Sequence, residues 1–367
     1  MNKECAEIKS PQQLRRWVLN TRPESLKIRE FIVLSLKFFR IRTCMPGFLS
    51  YIIGWSITGE AFHWKVLLGA LIAFLFQAGA NLNNTVTDLR EDSYNLPKRL
   101  NLVAQLGYRN LFHVTMGVNI TIILLGLFFN AVFFLFVLIG TFEMLAYSFP
   151  PFRFKARPLP SMLTFAQAVG NPFLLGYFTR EGSLSFSEAL SIGFYSKEFW
   201  GLFILLELWF FLYCPMKNIP DYEGDKYAGL KTTATIFSSK TNAAIAAVIA
   251  HIASYTVLAF LIMFKLLPTK FLVLFIWLPI SSYVFIRMIR DSDIKMQNKN
   301  MMDAMVYATA YCSTILVLTN IQLFTLLSIL LSFAGIFITD YLNVDSRPIV
   351  VPEEYYRSED IGREYGR

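Results

Sequence analysis

The chain has 367 residues, of which 55% are hydrophobic, 16% aromatic and only 16% charged, and its mean hydropathy of +0.46 excludes an ordinary soluble domain in favour of a polytopic membrane protein. The net charge of +8 does not indicate nucleic acid, because Lys and Arg fall mainly in short segments between apolar runs, where they report membrane orientation. Cys5, Cys44, Cys214 and Cys312 show neither close pairing nor metal-type spacing, which argues against a disulfide framework and a zinc site.

Residues 1–35 read as a polar N-terminal segment on the cytoplasmic side. Charges run through residues 1–30 with no early apolar core, so no cleavable signal peptide is expected and the first span serves as its own insertion signal. A span needs about 20 mostly apolar residues. Segments of that kind lie near 42–59, 64–82, 111–129, 131–149, 161–179, 198–218, 241–264 and 269–289. Region 303–341 is too long for one span and carries Asn320 and Gln322 near its middle, so it reads as two helices joined by a tight turn. The expected fold is an all-α transmembrane bundle of nine or ten spans within residues 36–343, followed by a polar tail over 344–367.

Charge placement is consistent with this alternation. The N-terminal segment, Arg90 to Arg109, Arg153 to Arg157, Lys217 to Lys240 and Arg290 to Lys299 put the basic excess on one face, the cytoplasmic one. That face also carries two acidic clusters. Asn84, Asp88 and Asp92 are spaced by four and follow the second span; Asp221 and Asp225 repeat the step of four behind the sixth, with Asn218 three residues earlier. In a helix, steps of four keep side chains on one side, where like-charged carboxylates repel. A divalent cation removes that conflict, and oxygen-only donors without Cys or His suit a hard ion such as Mg²⁺. A pseudo-repeat of helical units would bring both clusters to one membrane face around a shared central cavity.

Asn84-x-x-x-Asp88-x-x-x-Asp92 with Asn95-Leu96-Pro97-Lys98-Arg99, Tyr147-Ser148-Phe149-Pro150-Pro151-Phe152-Arg153-Phe154-Lys155, and Lys217-Asn218-Ile219-Pro220-Asp221-Tyr222-Glu223-Gly224-Asp225 with Gly229-Leu230-Lys231-Thr232 together resemble the UbiA superfamily of intramembrane prenyltransferases. The resemblance covers roughly residues 36 to 320. It implies an all-helical bundle around a cavity open laterally to lipid, with Mg²⁺ bridging both acid motifs to the diphosphate of an isoprenoid donor. Asp88, Asp92, Asp221 and Asp225 would then be the metal and diphosphate ligands, with Asn84 and Asn218 as supporting oxygen donors. Lys98, Arg99, Arg153, Lys155 and Lys231, together with Arg40 at the entry of the first span, are candidate diphosphate partners, set against a simple positive-inside role. Tyr147 is placed either at the reacting carbon or leaving oxygen, or as a structural aromatic at its helix end. Two intramembrane acids, Glu143 and Glu207, either hold an acceptor and take up its proton or serve helix packing in protonated form.

The chain departs from the family pattern at Thr85 and Asn218, where an Asp is common, and at Leu100, where an Arg-Pro pair is frequent. The phrasing of the second motif is similar to homogentisate-type members, which favours an aromatic acceptor. A membrane terpene cyclase acting without an acceptor, an enzyme with a phosphorylated polar acceptor, and a lipid transporter are the competing readings.

Overall fold

A computed structural model describes residues 10–23, 25–180, 187–188, 196–291 and 294–347. These contain fifteen α-helices and no strand. In chain order they are α1 (Pro11–Asn20), α2 (Ile28–Phe39), α3 (Ile41–Ser56), α4 (Trp64–Thr87), α5 (Leu89–Asn95), α6 (Pro97–Leu106), α7 (Tyr108–Gly126), α8 (Ala131–Ser148), α9 (Pro158–Tyr177), α10 (Lys197–Lys217), α11 (Tyr222–Ala228), α12 (Lys240–Met263), α13 (Trp277–Arg290), α14 (Ile294–Thr319) and α15 (Leu323–Tyr341). Short 3₁₀ turns at Phe154–Ala156 and Thr269–Ile276 complete the described set.

Three of the long helices start where a side chain satisfies a free N–H. Asn130 accepts from Phe133 N at 2.9 Å to open α8, while Ser196 and Ser239 do the same for α10 and α12 at 3.2 Å. The expected break within 303–341 falls at Asn320–Gln322, where Asn320 leaves the helix and its amide donates to Ser56 O at 3.2 Å. Seven of the helical segments are long and apolar enough to cross a membrane. They include α4, α8, α10, α12 and α15, so this is a multi-pass integral membrane protein. An expected total of nine or ten additionally needs segments such as α3, which has 16 residues. Large apolar side chains left exposed on the outer helices, such as Leu330, Leu331 and Phe337 on α15, suit a lipid environment.

Helices α3 and α9 meet through small residues. A Cβ on Gly54 would lie 2.0 Å from Phe173 O, and one on Gly176 would lie 1.9 Å from Tyr51 O. The two backbones approach so closely that only hydrogen fits between them, a mode of packing common between membrane helices. This pair forms one wall of the cavity. The N-terminal α1 packs on α5 and α6, burying Leu14 and Val18 beside Leu100 and Val103. At the other end, the chain leaves α15, reverses at Asn343 (φ +51°) and returns Ser346 to Lys37 O at 3.0 Å. The expected tail therefore begins as an ordered turn on α2; its residues 348–367 lie outside the described ones.

Candidate active site

Each acid motif is a long helix followed by a short one. Helix α4 ends at Asp88, whose backbone (φ −95°, ψ 17°) makes a shallow bend into the seven-residue α5. Helix α10 ends at Asn218, and Asp221 opens the seven-residue α11. Backbone bonds from Asp88 N to Asn84 O (2.8 Å) and Asp92 N to Asp88 O (2.7 Å) carry the step-of-four register through the first bend; at the second, steps of three such as Ile219 N to Met216 O (3.3 Å) lead to Asp221, and Asp225 N to Asp221 O (2.9 Å) resumes the step of four. Each set of acids thus stays on one side.

The short helices α5 and α11 are joined by Asn95. Its Oδ1 accepts the Gly224 N–H at 2.8 Å, and its Nδ2 donates to Asp221 O at 3.0 Å. A Cβ on Gly224 would sit 2.3 Å from Asn95 Cγ, so the approach requires glycine. Tyr94 and Tyr227 stack beside the junction with ring centroids 5.2 Å apart.

One cavity receives both motifs. Of the residues expected at the site, Arg40, Asn84, Asp88, Asp92, Arg99, Tyr147, Lys155, Asn218, Asp221 and Asp225 line it. Lys98, Arg153 and Lys231 do not line it. Lys231 is exposed, and Arg153, in a left-handed conformation (φ 41°), pairs with Glu91 instead of reaching the cavity. Thr85 is buried with its hydroxyl bonded to Asn81 O at 2.8 Å, so this departure from the family pattern lies inside the helix packing. The cavity continues between α3, α4, α8 and α9, past Phe76, Gln77, Gly140, Glu143, Phe165 and Asn171. A second groove on the outer face of α8 and α9, edged by the exposed Phe142 and Leu163, shares Glu143, Thr164 and Gln167 with it.

Cations neutralise the acids one by one. Lys155 Nζ bonds to Asp88 and lies 3.6 Å from Glu91; Arg99 makes two bonds to Asp92, at 2.9 and 3.2 Å; Arg347 pairs with Asp221. Burial drives the Asp92 and Glu91 carboxyls up despite Arg99 and Arg153. At Asp221 burial is the largest single influence and acts upward, but Arg347, Arg99 and Lys217 together hold that carboxyl below its usual value. Asp225 has no such guanidinium: burial, then Asp221, push it up to about 8. Lys217, at the end of α10, donates to the Tyr147 hydroxyl, with its Nζ 4.9 Å from that ring's centroid and 4.8 Å from that of Phe165.

Four residues not anticipated as site members thereby join it. Lys217 and Glu91 stand inside the motifs and were legible there; Asn95 follows the first motif directly. Arg347 carries no local signal and arrives only through the fold. His251 sits in an aromatic nest with Nε2 3.2 Å from Tyr307 OH. Among the described residues no group of three or more His, Cys, Asp or Glu closes into a metal centre. The donor chemistry nevertheless fits a hard divalent ion. The set is oxygen-only, no guanidinium pairs with Asp225 among the described residues, and the buried Oε2 of Glu91 has no hydrogen-bond partner among them.

Fold and site define an intramembrane helical bundle built around a paired acid cluster with a basic counter-wall. The model of the UbiA prenyltransferase family matches residues 44–309, and the chain belongs to that family. A UbiA homolog from Archaeoglobus fulgidus bound to DMAPP and Mg²⁺ superimposes with a TM-score of 0.55 at 19% identity, covering 83% of this chain and 99% of that one. The structure of a UbiA homolog from the same organism bound to GPP and Mg²⁺ gives 0.55 at 20% identity with the same coverage. At these identities the likeness establishes the fold. The curated 2-acyl-4-prenylphloroglucinol 6-prenyltransferase, chloroplastic, of Humulus lupulus is 28% identical over 203 residues, 52% of this chain and 45% of that protein. The chain thus matches about half the length of that relative.

Proposed function

We propose that the protein is a Mg²⁺-dependent prenyltransferase that moves an isoprenoid chain from a prenyl diphosphate to an aromatic acceptor and releases diphosphate. The observation that carries the reading is the convergence of both acid motifs, Lys155, Arg99 and Lys217 on one cavity whose inner wall continues into apolar, aromatic helix faces. Mg²⁺, when bound by Asp88, Asp92, Asp221 and Asp225 with Asn84 and Asn218 in support, supplies neutralisation of the leaving diphosphate. The protein's own residues do the rest. Lys155, Arg99 and Lys217 accompany the negative charge that gathers on the bridging oxygen as the donor's C1–O bond breaks. The Tyr147 hydroxyl, held by Lys217, is positioned on the same side, and Phe76 and Phe165 keep water from the allylic carbon.

The acceptor's ring carbon bonds to C1 and loses a proton. Glu143 suits that proton, because it stands where the cavity meets the membrane-facing groove and its Oε2 is buried without a hydrogen-bond partner among the described residues. An aromatic acceptor also accords with the phloroglucinol in the hop relative's name. We place the N-terminus and acid motifs on the cytoplasmic face, following the basic excess of that side. Purified protein given labelled farnesyl or geranylgeranyl diphosphate and Mg²⁺, with and without phenolic acids, tests the reading. Diphosphate release that requires a phenol and yields a prenylated ring supports it; release with a terpene hydrocarbon or alcohol and no acceptor assigns a cyclase instead.

A further inference from the structure

We propose that Arg347, carried in from beyond the last helix, is a diphosphate-binding residue of this site. The inference rests on the prenyl-diphosphate reading above. The family match ends at residue 309, so α15 and the turn after it lie beyond the matched residues. That turn is fixed at several points. Val344 N bonds Thr339 O at 2.9 Å, Ser346 N bonds Lys37 O at 3.0 Å, and Asp345 Oδ1 accepts Arg347 N at 2.8 Å while lying 3.9 Å from Arg40 Nε. The result is a side chain only 6% exposed that lines the cavity and pairs with Asp221.

Two features speak for an anionic ligand over a purely structural ion pair. First, the buried Arg347 Nε has no hydrogen-bond partner among the described residues, so part of the guanidinium fork is unmatched. A planar fork with spare donors is the arrangement that phosphate oxygens satisfy in pairs. Second, Arg347 is the guanidinium that pairs directly with the second acid arm, whereas Lys155 pairs with Asp88 and Arg99 with Asp92, both in the first arm. A diphosphate spanning both arms meets a guanidinium at each, Arg99 at the first and Arg347 at the second. On that binding, Arg347 exchanges a carboxylate for phosphate oxygens.

Calorimetric titration of inorganic diphosphate with Mg²⁺ into detergent-purified protein tests this, alongside donor and acceptor KM and kcat. Wild type is expected to bind diphosphate; Arg347→Ala should bind it about tenfold or more weakly. Its donor KM should rise by a similar factor with a smaller change in kcat and none in acceptor KM. Arg347→Lys, which keeps the charge and loses the fork, should recover part of the affinity, and it carries the test if Arg347→Ala does not fold. Unchanged diphosphate binding in both variants would overturn the proposal and leave Arg347 a structural counter-ion. Tighter binding or higher turnover in either would overturn it in favour of an inhibitory plug. Wild-type protein that binds no diphosphate would bring down the donor reading itself.

Discussion

Asn95 and Gly224 lock the two acid motifs together: the Gly224 N–H donates to Asn95 Oδ1 at 2.8 Å, and the glycine leaves no room for a Cβ against that amide. Because Asn95 Nδ2 also holds the Asp221 carbonyl, one side chain sets the spacing of both arms. Asn95→Ala strands two backbone groups at a buried junction, a loss of about 1–3 kcal/mol for an unsatisfied polar group. Diphosphate-release assays should show a fall of roughly ten- to a hundredfold, in keeping with a misplaced catalytic constellation, with the helical content unchanged. Gly224→Ala should fall at least as far. Full activity in both would show that the arms are not braced here.

Cation binding should depend on pH through Asp225. Its carboxyl is raised to about 8, chiefly by burial and then by Asp221. Below that value the group holds a proton which a bound cation must displace; above it the carboxylate is already free. Apparent Mg²⁺ affinity should therefore climb by up to about tenfold per pH unit between 6 and 8 and flatten above. Asp225→Asn should remove the slope. A pH-independent affinity in wild-type protein would contradict the assignment.

Glu143 offers a way to separate the two halves of the reaction. Glu143→Gln keeps the shape and removes the proton acceptor, so transfer to a phenol should drop by about 10²–10⁴-fold, the usual range for a general base. Binding of inorganic diphosphate with Mg²⁺ should be unaffected. Equal turnover in the variant would return Glu143 to a packing role.

The membrane class, the break at Asn320 and both acid motifs were legible because each is written in contiguous residues: apolar length, two polar residues in an apolar run, and carboxylates four apart. Asn84, Asp88 and Asp92 needed only helical geometry. The basic residues were harder, since Lys155 and Lys231 both sit in loops between apolar runs and charge alone does not say which one turns inward. The 3₁₀ turn at Phe154–Ala156 buries Lys155, whereas Lys231 stays exposed after α11. Arg347 was read as part of a polar tail because its partner Asp221, and the Lys37 carbonyl that anchors the neighbouring Ser346, are distant in sequence. Only the reversal at Asn343 brings them together.

Helix packing makes a separate prediction. Gly54 and Gly176 interlock against backbone atoms that cannot move independently. Gly54→Ala or Gly176→Ala should destabilise by about 1–3 kcal/mol, the range for overpacking. A thermal-unfolding scan in detergent checks this, and an unchanged midpoint in both variants would mean that α3 and α9 pack less closely than described.

The most direct test of the two-motif site is Mg²⁺-dependent release of diphosphate from a labelled prenyl donor by wild-type, Asp88→Ala and Asp225→Ala protein matched for folded amount. The expected result is release by wild type alone, with each single substitution abolishing turnover although it leaves the opposite motif intact. Retained turnover in either variant would contradict a site made jointly by both motifs, and so would the absence of Mg²⁺-dependent release by wild type from donors of any chain length.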